Sequence, residues 1–173
     1  MESSAYVDRT LTLVSDLHAT YASVRAVIQA YLYRSESDIH DLCKLSTPIR
    51  LCKGAYREGS DVAFARKRDV DDNYVRLMLE LFDHGTYPAI ATHDENILRR
   101  ALGYIQERKI AADRFEFQML YGVRRDLQRR LVAEGYRLRL YVPYGNAWYP
   151  YFMRRLAERP ANVVFLARNL LKS

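Results

Sequence analysis

A chain of 173 residues, 49% hydrophobic and 12% aromatic, holds enough apolar material for one cored domain and is neither a peptide nor a disordered tail. Its charge of +6, from 27 Lys and Arg (22 Arg and 5 Lys) against 21 Asp and Glu, invites a polyanion or an anionic membrane, but the two signs are mixed along the chain, which weakens that reading. Cys43 and Cys52 have neither zinc-site nor disulfide-framework spacing, no apolar run approaches the roughly 18 residues of a membrane span, and Met-Glu-Ser-Ser is too polar for a signal peptide, so a cytoplasmic protein is expected.

In chain order, periodicity predicts a helix at Tyr6–Ala19, a strand at Ala26–Tyr33, a helix at Glu36–Leu45 and a strand at Ile49–Lys53. A helix at Val62–Asp83, a strand at Ala89–Thr92 and a helix at Glu95–Glu107 follow. Then come a strand at Phe115–Met119, a helix at Arg125–Glu134, a strand at Arg137–Val142 and a helix at Trp148–Glu158. The apolar run Val163–Leu171 fits strand or helix. Ser35-Glu36-Ser37-Asp38 and Gly59-Ser60-Asp61 read as helix starts, Gly85 and Gly135 as helix stops. Unbroken alternation of this kind predicts βα units around a parallel sheet, in a single domain over residues 1–173.

An open doubly wound sheet and a closed barrel compete. The open sheet usually carries a Gly-rich turn after its first strand, and no G-x-G-x-x-G occurs here. Instead, polar residues sit in or just after the C-terminal halves of the strands: Gln29, Arg50, Lys53, Thr92, His93, Gln118 and Tyr141. A barrel gathers its chemistry at that rim, so the expectation is an incomplete TIM-type (βα)8 barrel, because a complete one takes about 250 residues and eight strands.

Three constellations carry chemistry. In Ile49-Arg50-Leu51-Cys52-Lys53-Gly54-Ala55-Tyr56, alternation puts Arg50 and Cys52 on one strand face and Leu51 and Lys53 on the other, with Gly54 allowing close backbone approach. An arginine inside a barrel needs an anion or cofactor, whereas on a surface strand it would snorkel; Lys53 at a strand end also suits imine chemistry. Thr92-His93-Asp94 opens a helix and suits a phosphate or flavin edge, or simply helix capping by Asp94 beside a half-buried histidine. The four histidines lie on different elements, so no metal site is expected. In Tyr151-x-x-Arg154-Arg155-x-x-Glu158, helical spacing lets two guanidinium groups converge on a planar carboxylate, unless the pair only decorates an exposed face. Tyr141, Tyr144, Trp148 and Tyr149 supply flat walls for a small amino acid, or for single-stranded nucleic acid.

These motifs, together with Gln29-Ala30-Tyr31-Leu32-Tyr33-Arg34 and Phe115-Glu116-Phe117-Gln118-Met119-Leu120-Tyr121-Gly122, resemble in order those of the proline dehydrogenase family. That resemblance implies a flavoenzyme on a distorted βα barrel. It would oxidise L-proline to 1-pyrroline-5-carboxylate, with hydride passing to flavin N5 and electrons to a membrane quinone, so transient peripheral visits to the membrane are implied too. It also implies FAD contacts from Met1, Gln29, Arg50, Lys53, Gly54, Ala55, Thr92 and His93, with Arg50 the catalytic cation beside the reactive edge. Arg154 and Arg155 would hold the proline carboxylate, and Leu120, Tyr141 and Tyr151 would pack on its ring. The family's lysine on the first strand and aspartate at the end of the third find no match, and Met1-Glu2-Ser3 is similar to the segment after that aspartate. The expected barrel portion is therefore roughly strands 4 to 8 with their helices. A half-barrel without turnover and a basic nucleic-acid-binding module are the competing readings.

Overall fold

The computed structural model describes residues 3–54, 56, 58–142, 144 and 145. A short 3-10 turn, Ser4–Tyr6, leads into helix α1, Val7–Thr20. Strand β1, Ala26–Gln29, is followed by α2, Ser35–Lys44, then by β2, Ile49–Cys52, and α3, Lys67–His84. Next come β3, Ala89–Ala91, α4, Glu95–Arg108, β4, Glu116–Leu120, α5, Arg125–Ala133, and β5, Leu138–Tyr141. The predicted helix Trp148–Glu158 and the run Val163–Leu171 lie outside the described residues.

All strand pairs are parallel, in the order β1-β2-β3-β4-β5. Sequential neighbours joined by helices are the βα pattern expected from the sequence, and the five strands among the described residues fit a barrel portion. Among the described residues β1 and β5 are the two edge strands.

Two predicted boundaries move together. The strand expected over Ala26–Tyr33 stops at Gln29, and the helix expected from Val62 starts at Lys67. Both shifts follow from one pairing: Tyr33 N–H donates to Val62 O at 3.1 Å and Phe64 N–H donates to Tyr31 O at 2.8 Å, so each segment satisfies its backbone with the other rather than by extending its own element. The proposed caps also change. No side chain caps α2: Ser35 Oγ donates to Gln29 O at 2.6 Å and Ser37 Oγ to Arg34 O at 2.9 Å. Gly59-Ser60-Asp61 precedes an extended stretch and starts no helix. Gly85 and Gly135 do end helices; at Gly135 (φ +85°) the last turn of α5 closes through Gly135 N–H to Val132 O and Tyr136 N–H to Leu131 O.

The core lies between one sheet face and the helices. Ala26, Ile28, Ile49, Leu51, Ile90, Phe117 and Met119 project there, against Tyr74, Leu77, Met78 and Leu81 of α3, Leu98 and Ile105 of α4, and Leu127 and Leu131 of α5. Phe115 meets Phe117 edge-on at 5.5 Å and Phe82 at 5.4 Å, geometry that favours opposed ring quadrupoles. Tyr74 is fully buried, and its hydroxyl donates to Leu51 O at 3.2 Å. Burial drives that phenol well above its ordinary pKa, so it remains a neutral donor.

Candidate active site

The opposite face of the same sheet is polar. Register pairs Val27 with Arg50, Arg50 with Ala89, and Ala89 with Glu116, and strand alternation adds Gln29, Cys52, Ala91, Gln118, Leu120, Arg139 and Tyr141 to this inner face. Arg50 lies on β2 and Gln118 on β4, yet Arg50 Nε donates to Gln118 Oε1 at 2.7 Å. The intervening β3 presents only Ala89 and Ala91 on this face, so two small side chains leave the path open. Among the described residues Arg50 makes no ion pair and is oriented by the neutral Gln118 amide.

The expected separation of Arg50 from Lys53 is found. Lys53 turns to the helix side, where its Nζ lies 2.5 Å from Asp71 of α3 and 2.8 Å from Asp94 at the start of α4. Lys67 also pairs with Asp71. Burial works to raise the Asp94 carboxyl, but the Lys53 hydrogen bond and charge and the amides of Asn96 and Ile97 hold it below the usual range. Two carboxylates thus enclose the amine, unlike the desolvated pocket that imine chemistry uses, which corrects the imine reading of Lys53. The room expected beside Gly54 is also taken: a Cβ there would fall 2.1 Å from the Tyr31 ring, and φ is +100°. The close approach that needs this glycine is made by Tyr31.

At the C-terminal rim, Thr92 Oγ1 accepts the Asp94 N–H at 3.1 Å and Asp94 Oδ1 accepts the Asn96 N–H at 3.1 Å. Local capping of α4 is therefore real. His93 does something further. Its Nε2 accepts the Leu120 N–H at 2.8 Å, which places the ring proton on Nδ1 and ties the end of β3 to the end of β4. Burial, with the Arg124 charge nearby, lowers the His93 pKa to about 4, so the imidazole is neutral at pH 7. Gln128 of α5 holds the same turn from below, donating to Leu120 O at 3.0 Å and to Val123 O at 2.8 Å. Gln29 is buried at the end of β1 and Tyr141 is 52% exposed at the end of β5. Met1, Ala55, Tyr151, Arg154 and Arg155 lie outside the described residues.

The least anticipated residue is Glu116, 3% exposed on the inner face. It accepts from Arg139 Nε and Nη2 at 2.7 and 2.9 Å, from Gln118 Nε2 at 2.6 Å, and from Arg25 Nη1 and the Tyr87 hydroxyl at 3.4 Å each. Burial works to raise its carboxyl, but the Arg139 fork, the Gln118 amide and the Arg25 charge hold it below the usual carboxylate range. The sequence signal was the period-2 spacing of Glu116 and Gln118 between Phe115, Phe117 and Met119.

A parallel βα sheet with an apolar outer face, a polar inner face and ionisable groups at its C-terminal strand ends defines part of a βα-barrel. Residues 1–168 match the proline dehydrogenase family. The chain is 48% identical over 172 residues to proline dehydrogenase 2 of Bacillus subtilis, covering 99% of this chain and 57% of that protein. It is 48% identical over 176 residues to proline dehydrogenase of Deinococcus radiodurans, covering 99% of this chain and 56% of that one. Among solved structures, proline utilization A from Bdellovibrio bacteriovorus, inactivated by N-propargylglycine, superposes with a TM-score of 0.81 at 30% identity, covering 90% of this chain and 19% of that chain. The chain belongs to the proline dehydrogenase family, and it spans a little over half the length of these curated relatives.

The donor set also fits a flavin, the cofactor class of this family. A guanidinium on the inner face that makes no ion pair among the described residues, and beyond the end of β3 a neutral imidazole with its proton on Nδ1 and a threonine hydroxyl, give an electron-accepting ring both hydrogen-bond donors and one cation.

Proposed function

We propose that this chain acts in the FAD-dependent oxidation of L-proline to 1-pyrroline-5-carboxylate, with a quinone as the final electron acceptor. The observation that carries this reading is Arg50, placed on the inner face and held through Nε by the neutral Gln118 amide. FAD, when bound, supplies the acceptor for the hydride leaving the ring carbon next to the proline nitrogen. Arg50, Gln29, Thr92 and His93 would hold it, with Met1, Lys53, Gly54 and Ala55 as the further contacts that the family motif suggests. The Arg50 charge stabilises negative charge developing nearby, which is worth most in a site shielded from water.

Arg154 and Arg155 would fork the proline carboxylate, and Leu120, Tyr141 and Tyr151 would pack on its ring. His93 and Gln128 support this by fixing both backbone groups of Leu120. No helix among the described residues is long and apolar enough to cross a membrane; in this reading electrons would reach a quinone by peripheral contact.

The test is the purified chain itself. Its visible spectrum should show bound flavin, and L-proline without oxygen should bleach it. Arg155→Met should raise the KM for proline at least tenfold, roughly 1.4 kcal/mol of binding, while flavin content is unchanged. A colourless protein would support a scaffold without turnover. Tight, steeply salt-dependent binding of single-stranded nucleic acid by flavin-free protein would support the binding-module reading instead.

A further inference from the structure

Gln118 is held at both ends, and the two ends demand opposite chemistry. Its Nε2 faces Glu116 Oε1 at 2.6 Å and its Oε1 faces Arg50 Nε at 2.7 Å. A carboxylate accepts only, and a guanidinium donates only. The flipped amide would set oxygen against carboxylate and N–H against N–H, so one orientation survives. Both ends force it, and the Glu116 end is itself fixed by the Arg139 fork.

We infer that Glu116 is a positioning residue for Arg50: through the one-way amide of Gln118 it sets the guanidinium that the flavin reading places beside the cofactor. The chain crosses the inner face from β4 to β2, over the alanines of β3. Glu116 lies on β4 two residues before Gln118 and so acts entirely through other side chains. This inference rests on the proposed function for its consequence, while the positioning itself is a property of the protein with or without flavin.

Two measurements separate these. In 15N-labelled protein without flavin, the Arg50 Nε–H resonance, assigned by its loss in Arg50→Lys, should be resolved and slow to exchange. Glu116→Gln, which can offer either an N–H or an oxygen to Gln118, should speed that exchange at least tenfold. Unchanged exchange would overturn the inference. In flavin-loaded protein, Glu116→Gln should lower the ratio of affinities for reduced over oxidised FAD about tenfold, roughly 30 mV for a two-electron couple. In an Arg50→Met background the same change should do nothing further. An equal drop in that background would show that Glu116 acts by another route and would also overturn the inference.

If Glu116→Gln fails to fold, Gln118→Leu keeps the Glu116–Arg139 pair and must give the same two effects; their absence counts against the inference. Wild-type protein that never retains FAD would overturn the proposed function, and the Nε–H exchange would then decide the positioning on its own.

Discussion

The two faces of this sheet are built from the same five strands and hold by different means. On the outer face Ile49, Leu51, Ile90 and Phe117 are at most 1% exposed, and their contribution is area removed from water. On the inner face Arg50, Gln118, Glu116 and Arg139 are joined by hydrogen bonds whose value lies in direction. An apolar face tolerates changes that conserve volume, whereas a directed polar chain fails when one acceptor becomes a donor. Phe117→Ala should therefore have the largest effect on stability, about 3–5 kcal/mol by the usual cost of emptying a core phenylalanine. Denaturant midpoints would measure it, and a loss near that of an exposed site would break the distinction between the faces.

A pH titration of stability would sharpen the comparison at the rim, where the faces meet. The His93 pKa falls from 6.5 to about 4 on folding, so the unfolded chain binds the additional proton. Stability is full above the unfolded value and declines as pH falls from about 6.5 to about 4, by about 3 kcal/mol in all. His93→Gln keeps a neutral acceptor for the Leu120 amide and removes the titration. Its urea midpoint should change little across this window while the wild type falls, and parallel curves would refute the assignment.

How much of this could be read from the sequence follows the range of each interaction. Period-2 alternation in Ile49–Lys53 separated Arg50 from Lys53 because it is a local property of one strand. The βα order was legible for the same reason, and so was the stop at Gly135. The end of β1 and the start of α3 were not, since Tyr31–Tyr33 is claimed by a segment about 30 residues further along the chain. Glu116 was hidden similarly. Its charge reads as an interruption in an apolar strand until Arg139, 23 residues away, is brought onto the adjacent strand. Gln128 gave no signal beyond being an uncharged residue in an arginine-rich helix.

Lys53 is where the family motif and the local geometry suggest different things, and Lys53→Met tells them apart with the smallest expected effect. The lysine side chain is 16% exposed and the Asp71 and Asp94 side chains 24% each, a partly buried triad in which deletion of the cation leaves two carboxylates sharing Lys67. The expected loss at pH 7 is about 1–2 kcal/mol, between an exposed pair and a buried one. Asp94 titrates below its ordinary range when Lys53 is present, so the difference between wild type and variant should be full above about pH 4 and close as the carboxylates protonate below it. If the lysine serves only this triad, the variant should lose stability and keep its flavin affinity. A variant that keeps its denaturant midpoint but releases flavin would move Lys53 from the helix side of the structure into the cofactor's contacts, and the two faces would then share the work of binding.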